Sequence, residues 1–210
     1  MQGCGVDNGA LNFNRADVIS FSGVISGTGS VVQAGIGTTQ LTGTNTYSGG
    51  TNINNGILQI ATVDNLGTGG LSFGTANTGG TLLTTSSTDL TAAGNVVVNM
   101  GGGTIDTVNN TVSMTQTISG PGRLTKTGTG ILTLTGNNGY TGGTQVQQGT
   151  LAINSNNAIG ADTGGLTLDN GTTLPMDADV ASATRPLPLT GGTATIDTPS
   201  NTGTFGRNIS

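Results

Sequence analysis

The chain has 210 residues with little charge and much glycine: five basic and ten acidic side chains give a formal net charge of −5, and 39 residues are glycine. So few basic side chains offer no patch for a phosphate backbone, which excludes nucleic-acid binding. The acidic residues are all aspartate, and glutamate, a strong helix former, is missing. Because Thr, Val and Ile are frequent, the composition favours short strands over helices.

Several classes of function need residues or segments that this sequence lacks. It contains no histidine, which excludes a Ser-His-Asp triad and a histidine metal site. Cys4 is the single cysteine, so no internal disulfide can form. No apolar run is long enough to span a bilayer, and the first five residues have neither the basic nor the apolar region of a signal peptide. We therefore predict no membrane insertion of this segment.

Short apolar segments recur along the chain between glycine-rich corners, roughly 8–12 residues apart, a spacing typical of all-β proteins. The predicted strands of the first half are centred on Val31-Val32, Thr39-Gln40-Leu41, Ile53, Leu58-Gln59-Ile60, Leu71-Ser72-Phe73, Thr81-Leu82, Val96-Val97-Val98, Thr104-Ile105 and Val112-Ser113-Met114. Many alternate in polarity, most plainly Leu132-Thr133-Leu134-Thr135. The period of two predicts that the leucines face one side and the threonines the other.

The chain also repeats itself over a much longer distance. The stretch from Ser26 to Ile60 aligns without a gap with the stretch from Ser119 to Ile153, at an offset of 93 residues. We predict a partial unit at residues 1–24 and two long units at about residues 25–117 and 118–208. Together they form one continuous structure over residues 1–210.

These observations predict an all-β fold, a single-stranded parallel β-helix (β-solenoid), right-handed and with about three strands in each turn. A β-sandwich is the architectural alternative, since four Asn-Gly pairs could serve as hairpin turns. We favour the β-helix because the units are long and in tandem and no linker separates them.

The two units place the same residue types at matching positions. This structural repeat motif consists of Tyr47, Gly49, Gly50, Thr51, Gly56 and Leu58 in the first unit, and Tyr140, Gly142, Gly143, Thr144, Gly149 and Leu151 in the second. We expect each tyrosine ring to cover the edge of its turn, with the Gly-Gly pair after it changing the chain direction; stacking of a sugar is the alternative role. Asp106 and Asp197 also recur, and an Asx-type bond to a nearby backbone N–H is expected for them.

The densest acidic group is the only candidate for catalysis, and its members are Asp162, Asp169, Asp177 and Asp179. Asp177 and Asp179 would share a face of a strand, where a carboxylate pair could act as acid and base on a glycosidic bond. A polysaccharide-active β-helix enzyme is therefore one alternative function, and an ice-binding solenoid, suggested by the abundant Thr, is another. We nevertheless predict that the chain is not an enzyme and has no catalytic, cofactor or metal site.

The motifs ISGxG, LTLTGxNxYxGGT and GTLxI resemble the autotransporter passenger-associated strand repeat. The clearest copy runs from Gly128 to Ile153. The resemblance implies a bacterial type V secretion passenger that folds outside the cell as a β-helix, with a C-terminal translocator barrel in the full-length protein. It also implies an extracellular stalk with a structural or adhesive role on the bacterial surface, whose partners would be a host surface or other copies of the same protein.

Overall fold

The computed structural model describes residues 5–6, 8–176, 180–182, 185–190, 193–198 and 203–205. Its regular elements there are short strands and three 3-10 helices, Val63–Asn65, Thr91–Ala93 and Asn156–Ile159. None of these helices is long and apolar enough to cross a membrane.

The strands in these residues are, in chain order, β1 (Gly5–Val6), β2 (Ala10–Phe13), β3 (Val18–Phe21), β4 (Ile25–Ser26), β5 (Ser30–Gln33), β6 (Thr38–Leu41), β7 (Thr51–Ile53), β8 (Ile57–Ile60), β9 (Leu71–Phe73), β10 (Gly80–Thr84), β11 (Thr88–Asp89), β12 (Val96–Val98), β13 (Gly103–Asp106), β14 (Thr111–Met114), β15 (Ile118–Ser119), β16 (Leu124–Thr127), β17 (Ile131–Leu134), β18 (Thr144–Val146), β19 (Thr150–Ile153), β20 (Leu166–Asp169), β21 (Thr173–Pro175), β22 (Val180–Ser182), β23 (Leu189–Thr190), β24 (Thr195–Asp197) and β25 (Gly203–Phe205).

Three long sheets form the sides of a coil, and neighbouring strands in them are parallel. What we call the first sheet has the order β15-β12-β9-β7-β5-β2, the second β23-β20-β18-β16-β13-β10-β8-β6-β3, and the third β11-β14-β17-β19-β21-β24. Two further pairs, β1 with β4 and β22 with β25, are also parallel. The chain thus makes about nine turns and is a β-solenoid, as the sequence predicts. The sandwich is excluded, because its hairpins need antiparallel neighbours.

One turn of the coil takes 20 residues or slightly more. Val31 pairs with Thr51, Thr51 with Leu71 and Leu71 with Val96, so the first two steps take 20 residues each and the third takes 25. Each strand therefore lies above its counterpart from the preceding turn, and the backbone hydrogen bonds run along the coil axis.

Alternation along the strands fills the interior. In β17, Leu132 and Leu134 are buried and Thr133 is half-buried on the outer side, as the sequence predicts. Equivalent inward side chains stack on one another from turn to turn, as Leu58, Leu82 and Ile105 do in the second sheet. Burial of each such side chain contributes about 1.5–3 kcal/mol, so a chain with few aromatics still builds a continuous aliphatic core.

The second repeat unit is rotated by one sheet relative to the first. β5 belongs to the first sheet, whereas the matching β16 belongs to the second; β8 belongs to the second sheet and the matching β19 to the third. Four turns along the first sheet lead from Val31 to Ile118, and Leu124, the residue that matches Val31, follows six residues later on the next sheet. The 93-residue offset is therefore four turns plus one side of the coil. Asp106 and Asp197 obey the same rule, lying in the second and third sheets.

Candidate functional site

The two motif tyrosines lie inside the coil, not at its edge. Tyr47 and Tyr140 are fully buried, and their hydroxyls share hydrogen bonds with the hydroxyls of Thr51 (2.6 Å) and Thr144 (2.5 Å). Burial raises the pKa of both phenols. The expectation that the rings cover the edge of their turns is wrong, and rings without exposed surface cannot stack a sugar.

A glycine in the following turn makes room for each ring. A Cβ added at Gly67 would lie 2.5 Å from Cδ2 of Tyr47, and one at Gly160 would lie 2.8 Å from Cε2 of Tyr140. These distances are too short for any side chain, so the ring and the backbone of the next turn pack directly together. Glycine at this position is what allows the motif tyrosine to enter the interior.

Two buried asparagines of the motif join three successive turns. Oδ1 of Asn45 accepts from the N–H of Ile25 in the turn before (2.8 Å), and Nδ2 donates to the carbonyl of Asn65 in the turn after (2.6 Å). Asn138 repeats both bonds with the N–H of Ile118 (2.7 Å) and the carbonyl of Ala158 (2.6 Å). Each amide therefore satisfies backbone groups at a corner where the strand ladder is interrupted.

The glycines of the motif are required by the closeness of adjacent turns. Gly56 and Gly149 have φ of +55° and +71°, a region that side chains rarely adopt. A Cβ at Gly56 would lie 2.5 Å from the carbonyl oxygen of Gly37, and one at Gly149 would lie 2.5 Å from that of Gly128. The Gly-Gly pairs serve in a similar way, since Gly50 and Gly143 also have positive φ and Gly49 and Gly142 pack on the backbone of the preceding turn. Leu58 and Leu151 complete the motif as fully buried core residues.

A buried polar side chain lies two residues before a Gly-x-Gly corner in each unit, and its residue type differs between the two units. In the first unit it is Gln33, whose Nε2 donates to the carbonyls of Gly35 (2.9 Å) and Gly37 (3.1 Å). In the second unit the matching residue is Lys126. Its Nζ bonds to the hydroxyl of Thr107 (2.9 Å) and to the carbonyls of Thr127 (2.9 Å), Gly128 (2.8 Å) and Gln148 (3.2 Å). Both residues thus satisfy inward carbonyls of a Gly-x-Gly corner.

Lys126 is a charged group in an apolar column. Its side chain has no exposed surface and lies between Ile105 and Val146 of the neighbouring turns. Burial lowers the pKa of Lys126 to about 8, and the charge of Asp106 opposes this shift only in part. The carbonyl cage stabilises the ammonium locally, but the position carries a desolvation cost that Gln33 avoids.

A second buried cation fixes the corner near the end of the described region. The guanidinium of Arg185 has no exposed surface and donates to the carbonyls of Ile159 (3.2 Å), Gly160 (2.8 Å) and Gly164 (2.8 Å). It also contacts the half-exposed carboxylate of Asp162 at 3.3 Å. Burial lowers the pKa of Arg185, and the charge of Asp162 acts in the opposite direction. Arg185 therefore caps the end of the 3-10 helix at residues 156–159, where the last carbonyls have no partner within the helix.

The aspartates singled out from the sequence bind to nearby residues of the coil. Asp162 accepts from Arg185 and Asn156, and Asp169 accepts from the hydroxyl of Thr190 and from Gln145. Asp177 and Asp179 lie outside the described residues. Among the residues that are described, no group of three or more acidic, histidine or cysteine side chains could hold a metal ion.

The expected Asx bond is confirmed at Asp106, whose Oδ1 accepts from the N–H of Val108 at 2.8 Å. The matching bond at Asp197 cannot form, because the residue two positions later is Pro199, which has no N–H. The carboxylate of Asp106 therefore helps to fold its corner, and Asp197 cannot use its carboxylate in the same way.

The outer surface of the second sheet is irregular from turn to turn. Its outward positions are Thr81 and Leu83 in β10, Thr104 and Asp106 in β13, and Thr125 and Thr127 in β16. Only the last of these three strands has Thr at both positions. An ice-binding face needs a regular array of Thr-x-Thr, and these strands do not provide one.

Comparison with known proteins finds the same two repeats that the structure shows. The family model of the passenger-associated-transport-repeat matches residues 31–60 and 124–153, the two stretches that carry the motif. The chain is also 36% identical over 121 residues to a protein of Brucella suis biovar 1 (strain 1330) named the adhesin BmaC autotransporter. These findings confirm the resemblance to autotransporter passengers that the motifs indicate.

The match to the adhesin spans 58% of this chain but only 4% of that protein. No solved structure matches the chain.

Proposed function

We propose that this chain is a non-catalytic stalk segment of an adhesive autotransporter passenger, displayed on the outer surface of a bacterium. The observation that carries the proposal is the continuous parallel stack: the second sheet alone has nine strands, one for each turn. At about 4.8 Å per turn such a stack is roughly 40 Å long. A rod of this kind holds whatever follows it at a fixed distance from the cell.

The use of the polar side chains supports a structural role. Asn45, Asn138, Lys126 and Arg185, the buried amides and cations at the corners, bind backbone carbonyls or N–H groups of the coil itself. An enzyme would direct such groups towards a cleft, where they could meet a substrate. Here these groups join successive turns of the coil. The result is a stiff structure that acts as a spacer.

Secretion and attachment follow from the similarity to autotransporter passengers. In this proposal the full-length protein supplies a translocator that exports the passenger, and the coil folds outside the cell. Low charge favours such stacking, because equal charges in register on successive turns would repel one another. A host surface or another copy of the protein is the partner, and a region outside this segment makes the contact.

A competition assay tests this assignment. We expect an excess of the purified 210-residue segment to leave the adhesion of bacteria carrying the full-length protein unchanged, because the segment spaces the adhesive region and does not bind. The same segment after denaturation controls for non-specific coating. Inhibition of adhesion by the folded segment, but not by the denatured one, would contradict the proposal and place binding within these residues.

A further inference from the structure

The chain contains four Asn-Gly pairs, and at Asn55-Gly56 the geometry is suited to reaction between the two residues. The pairs are Asn8-Gly9, Asn55-Gly56, Asn138-Gly139 and Asn170-Gly171. An asparagine side chain followed by glycine can close on the backbone nitrogen of that glycine, because glycine has no Cβ to obstruct the approach. Whether this happens in a folded protein depends on where that nitrogen and the side-chain amide point.

At Asn55 both groups point at each other. The N–H of Gly56 donates to Oδ1 of Asn55 at 2.9 Å, which brings the nitrogen next to the side-chain carbonyl carbon. Among the described residues, the Gly56 nitrogen makes no backbone ladder bond. Asn55 is half-buried at a corner, so water and hydroxide can reach it. The reacting atoms are thus held near each other before any reaction, as in a near-attack arrangement.

Two of the other pairs are held apart by the coil. The nitrogen of Gly139 donates to the carbonyl of Ile118 at 2.8 Å, and Asn138 is committed on both sides to neighbouring turns. The nitrogen of Gly171 donates to the carbonyl of Thr193 at 2.7 Å, and Oδ1 of Asn170 accepts from the N–H of Thr193 at 2.9 Å. In these pairs both reacting groups already take part in the structure and must first be released.

We propose that Asn55 is a site of spontaneous deamidation in the folded protein. Gly56 loses its amide proton to hydroxide, and its nitrogen attacks Cγ of Asn55. A C–N bond forms between that nitrogen and Cγ, and the bond between Cγ and Nδ2 breaks. Nδ2 takes a proton from water, which restores the hydroxide, and leaves as ammonia; the ring so formed is a succinimide. Water then opens the succinimide at one of its two carbonyls, which gives aspartate or isoaspartate. No oxidant, metal or further protein is needed.

The two products fit the corner differently. Aspartate keeps an oxygen that can accept from Gly56 and adds one negative charge to a weakly charged chain. Isoaspartate lengthens the backbone by one carbon between Asn55 and Ile57, whose N–H groups bond to Gln33 (3.2 Å) and Gly37 (3.0 Å) of the preceding turn. Because adjacent turns pack without free space at Gly56, isoaspartate displaces β8 from its register. Deamidation of Asn55 would therefore alter this surface corner irreversibly, in a fraction of molecules that grows with time.

Peptide mapping by mass spectrometry tests the proposal. The intact chain is incubated in mildly alkaline buffer, folded and denatured, and the conversion of Asn55, Asn138 and Asn170 is followed over time. For each asparagine, the deamidation rate in the folded chain is divided by its rate in the denatured chain. This ratio removes the effect of the neighbouring residues in the sequence on the rate. We expect this ratio to be at least about tenfold larger for Asn55, because the other two must first open locally. The variant Asn55→Gln should lose the signal at this position.

A ratio for Asn55 equal to or below those of Asn138 and Asn170 would overturn the proposal. So would a folded chain in which Asn55 stays intact while it reacts in the denatured chain. Circular dichroism before and after incubation verifies that the folded sample keeps its strands, so that neither result can arise from unfolding.

Discussion

Replacing Tyr140 by alanine is expected to lower the free energy of unfolding by about 3–5 kcal/mol, the cost of removing a large, fully buried aromatic side chain. The ring lies against Gly160 of the next turn, where no other side chain can move in to fill the space. Tyr140→Phe should cost only about 1 kcal/mol, because the Thr144 hydroxyl still donates to the carbonyl of Ile159 at 3.1 Å. Urea denaturation of the three proteins measures these differences.

Tyr47 provides the matched control, since it makes the same contacts on a different side of the coil. Tyr47→Ala should destabilise by a similar amount, and the loss in each variant should be local, because a turn of a solenoid contacts only its neighbours. Hydrogen exchange should therefore rise around residues 118–119 and 158–161 in the Tyr140 variant and around residues 25–26 and 65–68 in the Tyr47 variant. Alanine variants with wild-type stability would show that the rings are not part of the core.

Raising the pH from 8 to 10 is expected to increase the free energy of unfolding by about 1–1.5 kcal/mol, because Lys126 contributes about 2 kcal/mol and the ionisation of two unfolded-state tyrosines offsets part of it. Its pKa is about 8 in the fold and 10.5 in the unfolded chain. Below the lower value both states are protonated, so the desolvation cost is fully present. Between the two values the unfolded state binds more protons, and stability rises with pH. Above about pH 10 the trend reverses, because the buried tyrosines have raised pKa values and ionise first in the unfolded chain.

Lys126→Gln is the matched variant, because Gln33 fills the equivalent place in the first unit. We expect it to fold, to be more stable than the wild type by about 1–2 kcal/mol at neutral pH, and to show no rise between pH 8 and 10. Thr107 can donate to the new side-chain oxygen, as Thr39 does to Gln33 at 2.6 Å. Denaturation curves across this pH range give both quantities. A rise of equal size in the variant would exclude Lys126 as its source.

Much of this fold is readable in the sequence because each turn obeys a local rule. The alternation of Leu132-Thr133-Leu134 fixes which side chains face inwards, and corner glycines such as Gly149 mark the places where the chain must adopt positive φ. The offset of 93 residues reveals the long repeat without any knowledge of the sheets. Parallel stacking then follows from tandem units without linkers.

The rotation between units could not be read in this way. It depends on the summed lengths of all corners, and one turn takes 20 residues between Val31 and Thr51 but 25 between Leu71 and Val96. A few residues added at corners move a whole strand to the next sheet while leaving its local pattern intact. Aligning the two units shows which residue types match. It does not show which sheet a strand joins, because that depends on the number of residues in every preceding turn.

The burial of the polar residues is hard to predict from the sequence for a different reason. Lys126 follows the alternation of Leu124-Thr125-Lys126-Thr127, which places it on the inner side with Leu124, so a signal was present in the sequence. The usual preference of lysine for the protein surface nevertheless argues against an inward position for Lys126. Arg185 has no comparable signal, because its partners, Ile159, Gly160 and Gly164, come from the preceding turn and lie 21 to 26 residues earlier. The buried position of Tyr140 likewise depends on Gly160 in the next turn.

The proposed stalk acts through its regular stacking, and the most direct test of this role is to delete turns from the full-length protein. Removing residues 31–50 joins Ser30 to Thr51, which takes the place of its own ladder partner Val31. We expect this protein to reach the bacterial surface, to resist protease and to support adhesion, because one complete turn has been lost. Removing only residues 31–40 deletes half a turn, including β5 except Ser30 and β6 except Leu41. The remaining half-turn is too short to close one circuit of the coil, so protease resistance should be lost. The stalk proposal would be contradicted if both deletion variants resisted protease equally well. It would also be contradicted if the full-turn variant reached the bacterial surface but no longer supported adhesion.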